Sequence, residues 1–271
     1  MEKIDSASNK KIKLAASLSR RKHREQEGLF IAEGVRLCEM AAASGWQTEY
    51  GLVTERCLQS ERGQRLCRQL EGRCPLYLVP EQLYGKAAAV ETPQGVLLVI
   101  RQKQSRLADL PAAEAPLYVV LDGVQDPGNA GTIIRTADAA GAGAVILMQG
   151  TTDIFADKAV RATMGSLFHL PVCTGVTGEE LEAFAAAKKL RLYVTALDET
   201  AKPHFDCDLR GPLLLAFGNE GRGISPELLL QGEKLYIPMQ GGAESLNVGV
   251  AAAVVLYEAL RQRSLSVQDS C

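Results

Sequence analysis

The sequence lacks the apolar segments that mark membrane and secreted proteins. No apolar run reaches the roughly 18–20 residues that a bilayer-spanning helix needs. The first residues, MEKIDSASNKKIK, have no apolar core, so we expect no signal peptide. No internal repeat and no low-complexity segment is evident. We therefore expect a cytoplasmic protein without a membrane partner.

Metal-binding and disulfide patterns are also missing from the sequence. The chain has seven cysteines, an odd number, and no C-x-x-C pair. This usage disfavours zinc sites and disulfide frameworks and favours reduced cytosolic thiols. The three histidines, His23, His169 and His204, match no metal-ligand or catalytic-triad spacing. We expect no bound metal.

The chain does have the composition of a globular protein, with charge distributed unevenly along it. Its 271 residues, 46% hydrophobic and 23% charged, suit two domains of ordinary size or one large domain. Residues 1–101 carry 16 basic and 12 acidic residues, whereas the rest of the chain has an acidic excess. A basic arm near the N-terminus predicts either a polyanionic partner or a solvated helix face. Its candidate contacts for a polyanion are Lys10, Lys11, Lys13, Arg20, Arg21, Lys22 and Arg24.

Residues 1–101 predict a small α/β sandwich. The arm has helical spacing of apolar residues up to about Gly28, and residues 35–43 predict another helix. Three apolar runs bounded by turn residues predict strands at residues 50–53, 76–79 and 96–100, and residues 30–31 form a short apolar element. The following segment, residues 102–115, is polar and then rich in Pro and Ala, and we interpret it as a linker.

Residues 116–271 predict a parallel α/β domain, because apolar strands alternate with helix signals. Asp126-Pro127 predicts a helix that Gly141 ends, Thr177 and Glu180 form a capping box, and Ser225-Pro226 starts another helix. A long helix of low charge follows Asn247. The predicted strands are residues 117–121, 144–147, 190–196, 213–217 and 235–238.

Three segments of this second region form an ordered set of motifs. They read LDGVQDPGNAGTIIRTAD, LLLAFGNEGRGISPEL and LYIPMQGGAESLNVGV. Together they resemble the signature motifs of the SpoU (TrmH-like) family of RNA ribose 2′-O-methyltransferases, in the SPOUT superfamily. The shared pattern is D-P-x-N-x-G-x-x-x-R-T, then F-G-x-E-x-x-G, then I-P-M-x-x-x-x-x-S-L-N-V. The resemblance covers residues 116–262 well and residues 9–34 more loosely.

The resemblance implies a fold, a cofactor and partners. The implied fold is α/β, with a C-terminal SPOUT-type parallel domain that contains a deep trefoil knot and a small N-terminal domain like ribosomal protein L30e. The implied cofactor is S-adenosyl-L-methionine, and the implied partners are RNA, bound by the N-terminal domain, and a second copy of the chain, bound through the C-terminal domain. Residues 116–271 then form the methyltransferase domain.

The cofactor should lie against glycine-rich loops that follow the strands. Because glycine has no side chain, the backbone at these positions is accessible to a ligand. The adenine and the methionine tail of the cofactor need an apolar pocket with polar backbone groups at its rim. The motif Gly218–Gly223 comes close to the dinucleotide fingerprint G-x-G-x-x-G, but it does not follow the first strand of the domain. The candidate cofactor contacts are Thr195, Ala196, Phe217, Gly218, Asn219, Gly221, Ile237, Met239, Leu246 and Asn247.

Arg135 is the leading catalytic candidate. In the family the matching arginine is essential and has been described as a general base, but a guanidinium is not deprotonated under ordinary conditions. A role in binding phosphate or ribose and stabilising a developing alkoxide needs no such change. The alternative without a catalytic role is a surface arginine that pairs with Asp138.

Four further residues complete the catalytic set. Asn129 can orient the ribose or Arg135, or cap its helix. Glu220 can hold Arg135 or another basic group, or lie exposed. Ser245 and Asn247 can bind the ribose hydroxyl or the methionine tail, or cap the last helix. Outside this set, Arg222 is a candidate phosphate contact. Two positions depart from common family residues, Glu244 and Gly249, and neither belongs to the set.

The resulting hypothesis is 2′-O-methylation of a ribose in structured RNA, with 23S-type ribosomal RNA as the leading substrate. The alternatives are a tRNA ribose methyltransferase and an RNA-binding module of the same fold without methyl transfer. An unrelated α/β enzyme with a nucleotide cofactor is disfavoured, because the first strand of the domain is followed by DGVQDPGN.

Overall fold

The protein is described here by a computed structural model that covers residues 1–111 and 113–268. The first part of the chain alternates short strands and helices, as the sequence predicts. Its elements are β1 (Glu2–Lys3), α1 (Lys10–Ser17), α2 (Arg21–Glu27), β2 (Leu29–Glu33), α3 (Val35–Ala43), β3 (Thr48–Val53), α4 (Glu55–Leu58), α5 (Glu61–Leu70), β4 (Leu76–Leu78), α6 (Glu81–Tyr84) and β5 (Val96–Arg101).

The second part contains more strands and the two longest helices. A short 3₁₀ turn at Leu107–Asp109 precedes them. The elements are β6 (Leu117–Asp122), α7 (Pro127–Ala139), β7 (Ala144–Met148), α8 (Asp157–Ala162), β8 (Val172–Val176), α9 (Gly178–Lys188), β9 (Arg191–Thr195), β10 (Lys202–Pro203), β11 (Leu213–Gly218), α10 (Pro226–Gln231), β12 (Glu233–Tyr236) and α11 (Val248–Gln268).

These elements form two compact units, and one of them is discontinuous in sequence. The first unit combines Met1–Lys103 with Asp153–Phe168, and the second combines Gln104–Thr152 with the residues from His169 onward. The linear division predicted from sequence does not anticipate that Asp153–Phe168, with α8, packs with the N-terminal residues.

The first unit is built on a mixed sheet with strand order β1-β4-β3-β5-β2. The predicted helical arm is two helices rather than one: Asn9 caps α1 by accepting a hydrogen bond from the Lys11 N–H, and α2 ends at Gly28 in the left-handed conformation. Fully buried side chains such as Leu52 and Leu97 fill the core on one face of the sheet.

An aromatic cluster joins the segment Asp153–Phe168 to the rest of the first unit. The ring of Phe30, fully buried, lies 5.1 Å from that of Phe155 and 6.3 Å from that of Phe168. Phe168 also meets Trp46 edge to face, with 5.3 Å between ring centroids. Such contacts contribute beyond the area that the rings bury, so the segment is an integral part of this unit.

The second unit is a seven-stranded sheet in the order β10-β12-β9-β11-β6-β7-β8, and every neighbouring pair is parallel. This confirms the predicted parallel α/β domain. Strands β6, β7 and β11 are buried at every residue, which is typical of parallel strands covered on both faces.

Helix starts in the second unit follow the sequence signals. Asp126 accepts a hydrogen bond from the Asn129 N–H and Pro127 is the first residue of α7. Thr177 and Glu180 form the predicted capping box of α9. The last helix, α11, packs against α7 and β11. Across residues 1–111 and 113–268, no helix has the length and apolarity that crossing a bilayer requires.

Candidate active site

The three motif segments meet at one edge of the parallel sheet. Strands β6, β11, β9 and β12 are consecutive neighbours, with Gly218 paired to Asp122 and Leu235 paired to Thr195. Because the strands are parallel, the loops that follow them leave from the same edge, where ligands of open α/β sheets bind.

Glu220 joins the first two motif loops. Its carboxylate accepts hydrogen bonds from the backbone N–H groups of Gln125 (3.1 Å) and Asp126 (3.2 Å), and from Nδ2 of Asn129 (3.0 Å). Partial burial alone would raise the pKa of Glu220, but these hydrogen bonds together outweigh it and the pKa is lowered. Glu220 therefore stays ionised. The expectation that it holds Arg135 is wrong, because its partners are Asn129 and the backbone of residues 125–126.

Asn129 continues this chain of hydrogen bonds to the third motif. Its Oδ1 accepts from Nδ2 of Asn247 (3.0 Å), and Oδ1 of Asn247 accepts from the N–H groups of Gly249 (2.9 Å) and Val250 (3.4 Å) at the start of α11. A carboxylate only accepts and a backbone N–H only donates, so both amides have a single consistent orientation. The network thus fixes the first turns of α7 and α11 to each other.

Arg135 lies exposed on α7 and is not part of this network. Among the described residues, no hydrogen bond or ion pair involves its guanidinium. The alternative that Arg135 pairs with Asp138 is wrong: Asp138 lies 3.8 Å from Nδ1 of His169 instead. An exposed guanidinium with no partner among the described residues is available to an anionic ligand.

The loop after β11 is a tight turn that leaves no space for a side chain at its first position. A Cβ on Gly218 would lie 2.3 Å from the backbone carbon of Gly223. Asn219 closes the turn by accepting from the N–H groups of Gly221 and Arg222, each at 2.9 Å, while its Nδ2 donates to the Gly123 carbonyl. Arg222 is therefore presented, exposed, on this turn.

Three residues that hold these loops were not predicted from sequence. Asp122, buried at the end of β6, accepts a hydrogen bond from the Ser225 N–H at 2.7 Å. Gln125 donates to the carbonyls of residues 123 and 150, and the Thr151 hydroxyl donates to the Leu121 carbonyl. An acidic residue ending a continuous apolar strand is a usable sequence signal for Asp122, but Gln125 and Thr151 carry none.

The predicted cofactor residues line the same edge in different ways. The Thr195 hydroxyl donates to the Ala216 carbonyl (3.2 Å) and the Ala196 N–H to the Leu235 carbonyl (3.0 Å). The Phe217 side chain is fully buried, so only its backbone is available. The third loop offers half-buried apolar side chains and exposed small ones: Ile237, Met239 and Leu246, then Gly241, Gly242 and Ser245.

The residues at this edge of the sheet fit a nucleoside with an aliphatic tail. Half-buried apolar side chains suit the flat faces of a heterocycle, and glycine backbone suits its polar edge. A Cβ on Gly241 or Gly242 would meet nothing within 4 Å, so that stretch is open. Within the described part of the chain, no group of three or more His, Cys, Asp or Glu residues is placed to hold a metal ion.

The basic arm differs from its prediction at one residue. Arg24 is 5% exposed; it binds Asp153 through Nε (2.9 Å) and Nη2 (2.7 Å) and donates to the carbonyls of Leu18 and Ser19. It is therefore a structural residue of the first unit, and its assignment as an RNA contact is wrong.

The remaining arm residues lie at the surface, in three settings. Lys11 lies over the rings of Tyr50 and Tyr77, with 5.0 and 4.7 Å from Nζ to the ring centroids. Arg21 pairs with Glu25 at 2.7 Å. The others are exposed, namely Lys10, Lys13, Arg20 and Lys22.

Comparison with known proteins agrees with this geometry. Residues 116–257 match the model of the SpoU rRNA Methylase family, and residues 9–98 match the MRM3-like substrate binding domain. The chain is 37% identical to the 23S rRNA (guanosine(2553)-2′-O)-methyltransferase RlmP of Bacillus subtilis, over 95% of this chain and 98% of that protein. It is 33% identical to the 23S rRNA (uridine(2479)-2′-O)-methyltransferase of Streptomyces viridochromogenes, over 92% and 88%.

Solved structures are similar over nearly the whole chain. The AdoMet-bound rRNA methyltransferase from Sinorhizobium meliloti has a TM-score of 0.87 and 33% identity, covering 96% of this chain and 97% of that one. The SpoU methyltransferase AviRb from Streptomyces viridochromogenes, in complex with AdoMet, has a TM-score of 0.86 and 32% identity, covering 94% and 98%. The motif loops, the parallel sheet and these matches lead to one assignment: the chain belongs to the SpoU rRNA methylase family.

Proposed function

We propose that this protein transfers the methyl group of S-adenosyl-L-methionine to a ribose 2′-hydroxyl of 23S-type ribosomal RNA. The observation that carries the proposal is the hydrogen-bonded network Glu220–Asn129–Asn247, which brings all three motif loops together. Arg135 is exposed on the same helix as Asn129. Relatives named as 23S rRNA 2′-O-methyltransferases, similar over almost the full chain, support the substrate class.

The cofactor supplies a methyl group on a positively charged sulfur when it is bound. Two solved relatives hold AdoMet, which supports the same cofactor here. In this chain the backbone at Gly218 and the side chains of Ile237 and Leu246 would hold the adenine. Thr195 and Ala196 would close the pocket from the neighbouring strand.

Arg135 would bind the target nucleotide. Its guanidinium has five N–H donors and no acceptor, so it can engage a phosphate or ribose at two points and stabilise charge that develops on the 2′-oxygen. Ser245, exposed in the third loop, would contact the ribose or the methionine tail. The side-chain amide of Asn129 already forms hydrogen bonds with Glu220 and Asn247. We therefore assign Asn129 as a positioning residue, which acts through these two residues.

The active form would be a homodimer through the second unit, with Arg135 reaching the partner's cofactor. Helix α11 exposes large apolar side chains on one face: Val250 is 50% exposed, Tyr257 52% and Leu265 49%. Val250 and Tyr257 are seven residues apart and Leu265 follows eight residues later, and both spacings keep side chains on one side of a helix. A row of exposed apolar residues favours an interface. Light scattering that finds a monomer at micromolar concentration would contradict this dimer.

Three further features belong to the same proposal. The return of the chain from β12 to pack α11 on α7 and β11 supports a deep trefoil knot in the C-terminal segment. The mixed sheet of the first unit supports an L30e-like domain. The domain division would be residues 1–101 for RNA binding, 102–115 as linker and 116–271 for methyl transfer, except that Asp153–Phe168 packs within the first unit. A ribosomal RNA substrate supports a cytoplasmic location.

The function is tested by mapping ribose methylation in RNA from cells with and without the gene. We expect one 2′-O-methyl group to disappear from 23S-type RNA, and purified protein with S-adenosyl-L-methionine to restore it on that RNA. Loss of a methyl group from tRNA instead would favour the tRNA alternative. Unchanged methylation of all RNA, with no transfer in vitro, would favour a non-catalytic binding module.

A further inference from the structure

The first unit contains a small cleft beside the start of α3. Its volume is about 160 Å³, and it is formed by residues of α3, by Gln94 before β5 and by the turn that follows α8. Pockets for drug-sized ligands usually measure about 300–1,000 Å³. A cleft of this size therefore suits a single ring system.

A buried acidic residue, Glu33, is among the residues that line this cleft. Glu33 is 5% exposed and accepts hydrogen bonds from the Tyr84 hydroxyl (3.2 Å) and the Ala89 N–H (2.8 Å). Among the described residues it makes no ion pair, and burial raises its pKa despite the two hydrogen bonds. A carboxylate has about four acceptor positions, of which two are used here. A ligand with N–H donors would compensate the cost of burying this charge.

The walls of the cleft are apolar and adaptable. They include Leu37, Met40 and Met164, and methionine packs well against irregular or aromatic surfaces. Met164 has φ of 49°, a left-handed conformation that is rare for residues other than glycine, and Gly165 beside it has φ of 97°. Such backbone outliers cluster at binding sites. A Cβ on Gly165 would lie 2.3 Å from Met40 Sδ, so Met40 packs directly against the backbone of Gly165.

Hydrogen-bond donors surround the cleft. Arg36 is exposed and, within the described residues, has no partner, while Arg161 pairs with Asp157. Oε1 of Gln94 accepts from the Val35 N–H at 2.8 Å, which leaves the Nε2 group of Gln94 free to donate. Arginine binds phosphate through its planar fork and stacks on bases.

We propose that this cleft binds an unpaired guanine of the substrate RNA. Guanine is the base whose pairing edge has two adjacent N–H donors, at N1 and N2, which match the two oxygens of Glu33. Its O6 is an acceptor for Gln94 Nε2, and its ring would lie between Leu37 and the two methionines. Arg36 would bind the phosphate. Proteins read RNA sequence mainly through bases that are splayed out of the stack.

The proposal rests on RNA being the substrate, and its first test does not need the methylation reaction. The full-length protein is photocrosslinked to 6-thioguanosine monophosphate, and the crosslinked peptides are identified by mass spectrometry. We expect crosslinks at Met40 or Met164, blocked by GMP and at least tenfold less well by AMP. Crosslinks only elsewhere, or equal competition by AMP, would overturn the guanine site.

Variants of the full chain then connect the cleft to RNA. Arg36→Ala should weaken GMP binding and raise the KM for 23S-type RNA about tenfold, the scale of one charged hydrogen bond, with kcat and cofactor affinity unchanged. Arg56→Ala, another exposed arginine of the same unit, is the matched control and should change nothing. Glu33→Gln should remove the preference of GMP over AMP.

The outcomes separate this site from the function itself. Loss of GMP binding in Arg36→Ala with an unchanged KM for RNA would overturn the RNA assignment in favour of a free nucleotide. Absence of cofactor binding or methyl transfer in the wild type would instead contradict the proposed function, while the crosslinking result would still decide whether the cleft takes guanine.

Discussion

Arg135 differs from Glu220, Asn129 and Asn247 because no described residue makes a hydrogen bond or an ion pair with its guanidinium. Glu220, Asn129 and Asn247 bind one another, so their hydrogen-bonding capacity is largely used within the protein. A guanidinium has five N–H donors, and those of Arg135 have no partner among the described residues. They are therefore available to a ligand. We therefore expect Arg135 to contact the substrate, whereas the other three residues position the loops.

Arg135→Ala should lower kcat by about 10²–10³-fold, the effect of removing one preorganised donor. Affinity for S-adenosyl-L-methionine should change little, because we propose that the loops after β9, β11 and β12 form that pocket. Arg135→Lys should recover little activity, since a point charge does not reproduce a planar fork. Single-turnover methylation and calorimetry measure the two effects.

The control for Arg135 is Arg106→Ala, which removes an exposed arginine of the same unit that pairs with Asp109. Arg106→Ala should leave kcat and the affinity for S-adenosyl-L-methionine unchanged. If Arg135→Lys worked as well as the wild type and its rate rose with pH, the arginine would be acting as a base. Wild-type activity in Arg135→Ala would exclude both roles.

Glu220 makes the stability of the loop network depend on pH. Its folded-state pKa is lowered, so the ionised form contributes stability that is present above the ordinary carboxyl pKa and lost as pH falls through the folded value. We expect the Tm of Glu220→Gln to lie below that of the wild type near neutral pH. The difference should shrink as the pH falls below about 4.5.

Thermal unfolding at several pH values measures this dependence. Glu199→Gln changes an exposed acidic residue outside the network and should give no such trend. A difference between Glu220→Gln and wild type that grows in acid would contradict the assignment of Glu220 as the ionised centre of the loops.

At the scale of elements, the close approach between the two ends of the β11 turn is the most restrictive feature. A Cβ at position 218 would contact backbone atoms of Gly223 and Ile224 at 2.3–2.4 Å, and backbone does not move aside as a flexible side chain would. Gly218→Ala should therefore lower the free energy of unfolding by about 1–3 kcal/mol and weaken cofactor binding. Denaturant unfolding and calorimetry measure both.

Gly241→Ala is the matched control for that substitution. A Cβ there meets nothing within 4 Å, and its backbone does not have a positive φ. Its unfolding free energy should stay within about 0.5 kcal/mol of wild type. Equal losses in both variants would show that the tight turn is not the cause.

Elements with strong local signals could be predicted, and those that depend on distant pairing could not. Asp126-Pro127 and Gly141 bracket α7 closely, because caps and breakers are local. Strands β1 and β10 have two residues each and exist through pairing with β4 and β12. β8, an edge strand with Thr and Gly in its middle, has no apolar run to mark it.

The same distinction applies to the site. Sequence motifs identified Asn129, Glu220 and Asn247, but their mutual bonds depend on how loops about 90 and 120 residues apart meet. Arg24 and Lys22 look alike in the basic arm. Only Asp153, 129 positions away, makes Arg24 a buried ion pair.

At the scale of the whole molecule, the basic arm should supply RNA affinity that depends on salt. Replacing Lys10, Lys13 and Lys22 together by Ala in the full-length chain should weaken RNA binding. It should also reduce the slope of log affinity against log salt by about 0.7–0.9 for each RNA phosphate that the variant no longer neutralises. Cofactor affinity should not change. Filter binding at several salt concentrations gives the slope.

The control is the triple substitution of Lys86, Lys103 and Lys188, three exposed lysines outside the arm. An equal change of slope in both triple variants would mean that net charge, not the arm, sets RNA affinity. The full chain is required because removing residues 1–103 would leave Phe155 and Phe168 without Phe30 and Trp46.

The discontinuity of the first unit also sets an order of events during synthesis. Phe30 and Trp46 emerge from the ribosome early, whereas Phe168, which packs on both rings, is added about 120 residues later. At 5–20 residues per second that interval lasts roughly 6–24 s. Until Phe155 and then Phe168 are added, the nascent chain has only the Phe30–Trp46 contact in place of the full cluster. The N-terminal unit, although translated first, therefore completes its core only after β6, α7 and β7 of the second unit have been translated.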